Sequence, residues 1–257
     1  MNVSPDPTQA FDLSAVYYDL FYQDKDYFAE AVFVDALIKR YNPASRDLLE
    51  LGCGTGNYSR CFSDFGYLVT GLDLSVEMIR RAQAKRLRSF TGIVADITSF
   101  DLSSTFDSAV ALFHVVSYLT ETEKLLSCLQ TVERHLRPGG VFIFDVWFTP
   151  AVCFLQPEDR VKEVADQTFT ATRKAHSVVD DEKNTVTVNY HFDVAEKATG
   201  IIHTANEQHI MRHFSTPEIS LMAHLTGFTL IEAKELRSGN PPSKNTWSVC
   251  YVLQKKV

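Results

Sequence analysis

Residues 46–60, RDLLELGCGTGNYSR, decide how this chain folds. An apolar run carrying one acid, Glu50, meets glycines at 52, 54 and 56. The unbroken apolar stretch predicts a short strand over 47–52 covered on both faces, as in a parallel sheet. Glycines at alternate positions let the backbone turn tightly and let a ligand approach it closely. Residues 57–65 predict a helix ending at Gly66, so the turn lies at a helix N-terminus with its N–H groups pointing outward.

Outward from this turn the same unit repeats. Residues 67–73 (YLVTGLD) predict a second strand, and 75–86 a helix with Ser75 as N-cap. Further strands are expected at 90–96, 106–113 and 141–148. Thr120 and Glu123 read as a capping box before the next helix, which RPGG (137–140) ends. Upstream, 16–41 has the periodicity of one helix stopped by Pro43, and the polar first ten residues read as a frayed tail. Strand–helix alternation implies right-handed crossovers and a doubly wound parallel sheet. After Pro150 the rhythm changes. Residues 167–214 alternate as in TVTVNYHFDV between polar turns, which predicts a small antiparallel sheet. A second capping box, Ser215 to Glu218, opens a helix, and FTLIEAKEL and WSVCYVLQKK supply two last strands. The expected division is 11–150 with 215–257 as one domain, and 151–214 as an inserted lid or dimerisation subdomain.

Two nucleotide chemistries use a glycine turn, and this one fits neither. A dinucleotide fold needs G-x-G-x-x-G, but Asn57 stands three residues after Gly54. A phosphate loop needs a following Lys and Ser or Thr, and no such Lys is present. The acids point elsewhere. Asp73 closes the second strand, where a carboxylate can accept both hydroxyls of a ribose. Asp96 closes the third, where it can accept from an adenine amino group, with the Ile97 N–H serving a ring nitrogen.

In order along the chain, ELGCGTG, GLDLSVEM, ADI, FDSAVALF and LRPGGVFIFDVW resemble the motifs of class I S-adenosylmethionine-dependent methyltransferases. The resemblance covers residues 16–148 and, more loosely, the end of the chain. It implies an α/β Rossmann-like doubly wound sheet of seven strands, the last antiparallel, here with an inserted small antiparallel sheet. It also implies S-adenosylmethionine as cofactor. Gly52, Gly54 and Gly56 would lie against its amino-acid part, and Glu50 beside them. Asp73 would hold the ribose, Asp96 and Ile97 the adenine, with Leu74 and Met78 packed on that ring, and Leu112 would make a backbone contact.

A finer resemblance lies in AVYYDLFYQDKDY, FHVVSYL, FDVWFTP and the β-rich insertion. These are similar to the small-molecule enzymes that dimethylate the amine of nucleotide-linked deoxysugars. The implied acceptor is a sugar amine or hydroxyl, with Tyr18 covering the cofactor. Tyr118 stands where those enzymes carry a histidine. Methyl transfer is an in-line displacement at a carbon already activated by its sulfonium, so orientation is the main requirement. A neutral amine needs only a mild proton acceptor, whereas a hydroxyl gains more from a base. Tyr118 and His114 are the candidate catalytic groups. Trp147 and Phe148 are candidate walls of the acceptor pocket, and Arg237 could meet an acidic or phosphate-bearing acceptor.

Composition narrows the class. Over 257 residues the net charge of −7 argues against a general affinity for nucleic acid or anionic membranes. Five scattered cysteines without a C-x-x-C pair argue against a disulfide framework and for a reducing, cytoplasmic compartment. His209 and His213, four apart in HIMRH, mimic a helical metal pair, but the segment reads as strand and no metal is expected. A nicotinamide-linked oxidoreductase and a non-catalytic scaffold of the same fold are the competing readings.

Overall fold

A computed structural model describes residues 14–257; the tail read at residues 1–10 lies outside the described residues. The apolar run becomes β1 (Asp47–Leu51) at the centre of a seven-stranded sheet. Its companions are β2 (Leu68–Asp73), β3 (Phe90–Val94), β4 (Phe106–Ala111), β5 (Leu136–Trp147), β10 (Phe228–Glu235) and β11 (Ser248–Lys255), in the order β10-β11-β5-β4-β1-β2-β3. β1 to β5 run parallel, while β11 runs antiparallel to both β5 and β10. The carboxyl ends of five neighbouring strands therefore share one edge, the place where open α/β sheets hold ligands.

The helices are α1 (Ser14–Phe21), α2 (Tyr27–Tyr41), α3 (Asn57–Asp64), α4 (Val76–Ala84), α5 (Thr122–His135), α6 (Thr149–Leu155) and α7 (Thr216–Leu225), of which α2, α3, α4, α5 and α7 pack on this sheet. Helix α5 shows why they dock. Leu125, Cys128, Leu129 and Val132 recur at helical spacing, and all four are buried in the core beside Phe142, Phe144 and Tyr251. The capping box of Ser215 and Glu218 forms as expected at the start of α7.

Four expectations are corrected. The single helix over 16–41 is two, because the Asp26 carboxylate caps a new start by accepting from the Ala29 N–H (2.9 Å). The Thr120–Glu123 capping box does not form. The Leu119 N–H closes a 3-10 turn (Val115–Tyr118) on the Val116 carbonyl, the Thr120 N–H bonds the Tyr118 carbonyl, and Glu121 occupies the N-cap of α5. The fifth strand begins at Leu136 rather than after RPGG, which forms a register shift against β4 with Gly140 pressed onto two carbonyls. Helix α6, unforeseen, follows β5 directly with Pro150 in its first turn.

The insertion is a separate four-stranded antiparallel sheet: β6 (Arg160–Ala165), β7 (Phe169–Asp180), β8 (Thr185–Glu196) and β9 (Ile202–Arg212). It begins one strand earlier than the sequence pattern suggested. Val186, Val188, Phe192 and Val194 alternate onto its buried face, where α1 packs on Phe192 and Val194 through Leu20 and Phe21 and α6 packs on Val186 and Val188 through Val152.

Candidate functional site at the carboxyl edge of the sheet

The glycine turn needs its glycines for different reasons. Gly52 has φ +64°, and a Cβ there would fall 2.5 Å from the Val115 side chain. Gly54, at φ +53°, has nothing within 4 Å of a Cβ position, so its backbone borders open space. Asp73 braces this turn: one carboxylate oxygen accepts from the Gly54 N–H (2.8 Å), the other from the Ser75 N–H (2.9 Å). A carboxylate offers about four lone-pair sites, so the same group can still accept from two hydroxyls. Burial pushes its pKa up, against the pull of those backbone N–H groups. Gly56, also left-handed, is the N-cap of α3.

Glu50 lies beneath the turn, 1% exposed, accepting from Ser59 Oγ at 2.5 Å. Burial raises its pKa to about 8; the Ser59 hydrogen bond opposes the shift and the charge of Asp73 adds to it. At the end of β3, Asp96 is exposed and its Oδ1 accepts from the Thr98 N–H and hydroxyl, the turn-capping role such an acid often takes. Ile97 is half-buried beside it. Of the expected adenine neighbours, Leu74 is exposed and Met78 is buried.

Helix α1 lies over this turn. Asp19 accepts from Thr55 Oγ1 (2.6 Å) and Asn57 Nδ2 (3.0 Å) and pairs with Lys85 Nζ (3.0 Å). Tyr18, the expected cover, meets Tyr22 at 4.7 Å with the rings tilted by 49°, and Tyr22 meets the edge of Phe113 at 5.0 Å. Behind them Lys25 sits 4.4 Å above the Phe113 ring and bonds Glu30, which also accepts from Tyr58.

At the end of β4 the chain passes buried Leu112 and then takes two left-handed residues in succession, Phe113 (φ 68°) and His114 (φ 64°). Such a pair is costly for non-glycine residues and needs external support. Asp145, fully buried on β5, provides it by accepting from the Phe113 N–H (2.7 Å), the His114 N–H (3.2 Å) and Ser248 Oγ (3.0 Å). His114 Nδ1 lies 2.7 Å from Asp145 Oδ2, an ion-pair distance at which the ring N–H is not aligned on the oxygen. Burial alone would raise the pKa of Asp145. The charge and hydrogen bonds of His114, with Ser248, more than offset it and hold the carboxyl below its ordinary value.

The remaining expected site residues divide. The His114 ring stands 6.0 Å from Trp147, which meets Trp247 at 5.8 Å. Tyr118 comes from the 3-10 turn, and its hydroxyl lies 2.7 Å from His209 Nδ1. Phe148 is corrected: at 7% exposure it is part of the main core, facing inward at the start of α6. Arg237 pairs with Asp26 at 3.7 Å, in the turn after β10. His213 bonds Thr149 and His209 bonds Tyr118, so the two histidines have separate partners. Among the described residues no group of three His, Cys, Asp or Glu could hold a metal, and no helix is long and apolar enough to cross a membrane.

Asp19, Lys85, Asp145, Glu207 and His209 were not singled out as site residues by sequence reasoning. Asp145 carried a legible signal: like Glu50, it is a lone acid in an apolar strand run. His209 was weighed only with His213, four residues away. In a strand the neighbour on the same face is two residues away, and that neighbour is Glu207.

Comparisons with known proteins identify the family. A family model described as a methyltransferase domain matches residues 48–140. A dTDP-3-amino-3,4,6-trideoxy-alpha-D-glucopyranose N,N-dimethyltransferase of Streptomyces venezuelae is 34% identical over 80% of this chain and 82% of its own. The solved structure of the sugar N-methyltransferase KedS8 of a Streptoalloteichus species superposes with a TM-score of 0.81 at 25% identity, covering 93% of each chain. That of Streptomyces venezuelae DesVI gives 0.78 at 28% identity over 99% of this chain and all of its own. The cradle of Gly54, Asp73 and Asp96 fits the methyl donor these proteins imply. The chain belongs to the class I S-adenosylmethionine-dependent methyltransferases, in the branch that acts on small molecules.

Proposed function

We propose that the acceptor is the amine nitrogen of a nucleotide-linked amino sugar. The observation that carries this reading is the pairing of a methyl-donor cradle with an acceptor wall of Tyr118, His114 and Trp147 on the same sheet edge, in a chain 34% identical to an enzyme named for such a substrate. S-adenosylmethionine, when bound, would supply a methyl carbon activated by its sulfonium, open to the amine lone pair with the neutral thioether as leaving group. The chain's own work is orientation and proton handling. Asp73 takes the ribose hydroxyls, Gly52, Gly54, Gly56 and Glu50 border the amino-acid part, and Asp96 with Ile97 meets the adenine. Leu74, Met78 and the Leu112 backbone line its sides, and Tyr18 closes over it.

Residues 151–214 are read as a subdomain inserted between 11–150 and 215–257. It serves as a lid and as a candidate homodimer surface; a monomer mass by light scattering would remove the latter role. Five free cysteines, four of them buried, support a cytoplasmic location.

The test has two arms. Purified protein with S-adenosylmethionine and dTDP-3-amino-3,4,6-trideoxyglucose should yield a sugar carrying one or two added methyl groups by mass spectrometry. No methylation of this or related aminosugar nucleotides by cofactor-competent protein ends the acceptor assignment. For the cradle, Asp73→Asn should weaken S-adenosylhomocysteine binding, by calorimetry, about 10- to 100-fold, since a hydrogen bond to a charged group is worth about 1.5–3 kcal/mol. Unchanged affinity ends the ribose assignment.

A further inference from the structure

A nucleotide-linked acceptor carries a diphosphate, and this chain has a net charge of −7, so a local cation has to meet that anion on the acceptor side. Several cations around the site are already committed. Lys25 pairs with Glu30, Lys85 with Asp19, Lys162 with Asp24 and Arg212 with Glu218. Arg173 on β7 differs. Strand alternation places it on the same face of the inserted sheet as buried Ala171. Among the described residues it pairs with no carboxylate, and its one hydrogen bond runs from Nη1 to the hydroxyl of Tyr22 (2.9 Å), just after α1. Three rings hold the guanidinium in place: Phe21 at 5.6 Å, Tyr22 at 5.3 Å and Tyr190 of β8 at 5.0 Å. Aromatic faces attract a cation without neutralising it. A guanidinium offers five N–H donors in a rigid fork that matches a phosphate bidentately. Arg173 spends one of them on a neutral phenol, and is left as a fixed, half-buried, uncompensated positive charge.

The rings around Arg173 place it beside the acceptor wall. Tyr22 meets Phe113, next to His114, at 5.0 Å. Tyr190 meets the ring of His209 at 5.0 Å, and His209 bonds Tyr118. In a nucleotide-linked amino sugar only the sugar ring separates the anomeric phosphate from the amine, so the diphosphate has to be held that close to the methylated nitrogen. A second cation stands near. Arg160 on β6 lies opposite Ala175, two residues on from Arg173 and therefore on the same face. It is exposed and pairs with no carboxylate among the described residues. Tyr190 flanks Ala175 on the other side; burial pushes its phenol up to about 12, and the charges of Arg173 and Arg160 both oppose that rise. Glu207, next in the same row, bonds His209 at 3.2 Å. We propose that Arg173, assisted by Arg160, binds the diphosphate of the nucleotide-linked acceptor. The inference deepens the acceptor reading above and rests on it. The guanidinium donates to non-bridging phosphate oxygens while the rings keep its fork in place, so little side-chain freedom is lost when the anion arrives. The inserted sheet then selects the acceptor by its charged handle, and the main sheet holds the methyl donor.

The experiment is calorimetric titration of dTDP, UDP and thymidine into protein saturated with S-adenosylhomocysteine. Wild-type protein should bind at least one of the two diphosphates more tightly than thymidine. Arg173→Met, which keeps an apolar stem against the rings, should weaken that diphosphate about 10- to 100-fold, as expected for the loss of charge-assisted hydrogen bonds. Thymidine and S-adenosylhomocysteine affinities should stay at wild-type values. Arg173→Lys, which keeps the charge and loses the fork, should fall between the two, and Arg160→Met should cost less than Arg173→Met. In turnover with dTDP-3-amino-3,4,6-trideoxyglucose, Arg173→Met should raise KM by a similar factor with kcat nearly unchanged. Wild-type diphosphate affinity in Arg173→Met overturns the proposal. So does an equal loss of thymidine or S-adenosylhomocysteine binding, which would make Arg173 only a tether between α1 and the inserted sheet. If Arg173→Met does not fold, Arg173→Lys decides by the same readout. Wild-type protein that binds neither diphosphate removes the site. Wild-type protein that binds one through Arg173 yet methylates no aminosugar keeps the diphosphate site and loses the amine acceptor.

Discussion

Glu50 and Asp145 are both acids set in apolar strand runs, both sealed from solvent, and they settle in opposite charge states. Asp145 receives two backbone N–H groups, a hydroxyl and an adjacent imidazole, enough to keep it ionised in a low-dielectric interior. Glu50 receives one hydroxyl and feels the repulsion of Asp73, so it holds its proton up to about pH 8. A group protonated in the folded chain and ionised in the unfolded one favours folding at low pH. The contribution of Glu50 is full below its unfolded value of 4.5 and is lost as pH rises through about 8. At roughly 1.4 kcal/mol per unit, the loss is on the order of 4–5 kcal/mol at most. Urea titrations of ligand-free protein from pH 5 to 9 should show this decline. Glu50→Gln should flatten it, and an unchanged slope in that variant would assign the dependence elsewhere.

At the scale of elements, α1 is tied to the glycine turn through Asp19 rather than through a broad apolar seam with the main sheet. Its partners Thr55, Asn57 and Lys85 belong to the turn, to α3 and to the end of α4. The ties are half-exposed, so each is worth little to global stability, about 0–1 kcal/mol. Asp19→Asn should therefore shift the unfolding midpoint only slightly while raising amide hydrogen exchange in 17–21 about tenfold, as expected for the release of a local unit. Protection equal to wild type would mean that the aromatic contacts alone hold α1. This arrangement also marks how much could be read beforehand. The strands and the turn were legible because apolar runs, glycines and terminal acids are local signals. Asp73 could be placed because β2 ends next to β1. The break at Asp26 was hidden, since a helical period continues through it and only the cap geometry reveals a new start. The Asp19–Thr55 and Tyr118–His209 contacts were illegible for a different reason: they join residues 36 and 91 positions apart, and no local pattern encodes such a pairing.

For the whole molecule, the junction between the two sheets rests on Arg212. Its guanidinium donates to the Thr120 carbonyl (3.2 Å) and Thr122 Oγ1 (3.1 Å) at the start of α5, pairs with Glu218 (2.6 Å) in α7, and lies over the Phe214 ring. The side chain is only 11% exposed, so its loss strands a half-buried carboxylate and a helix end. Arg212→Ala should cost about 3 kcal/mol of unfolding free energy in urea; a loss under 1 kcal/mol would show the junction to be carried by apolar packing. Close by, Trp147, Phe148 and Thr149 on the way out of the main sheet meet Phe214 on the way back, through the Phe214 N–H to Trp147 carbonyl and the Thr149 N–H to Phe214 carbonyl bonds. The chain thus leaves and re-enters the parent fold through one doorway. A segment with adjoining ends can be lengthened, shortened or removed with little strain on the strands on either side.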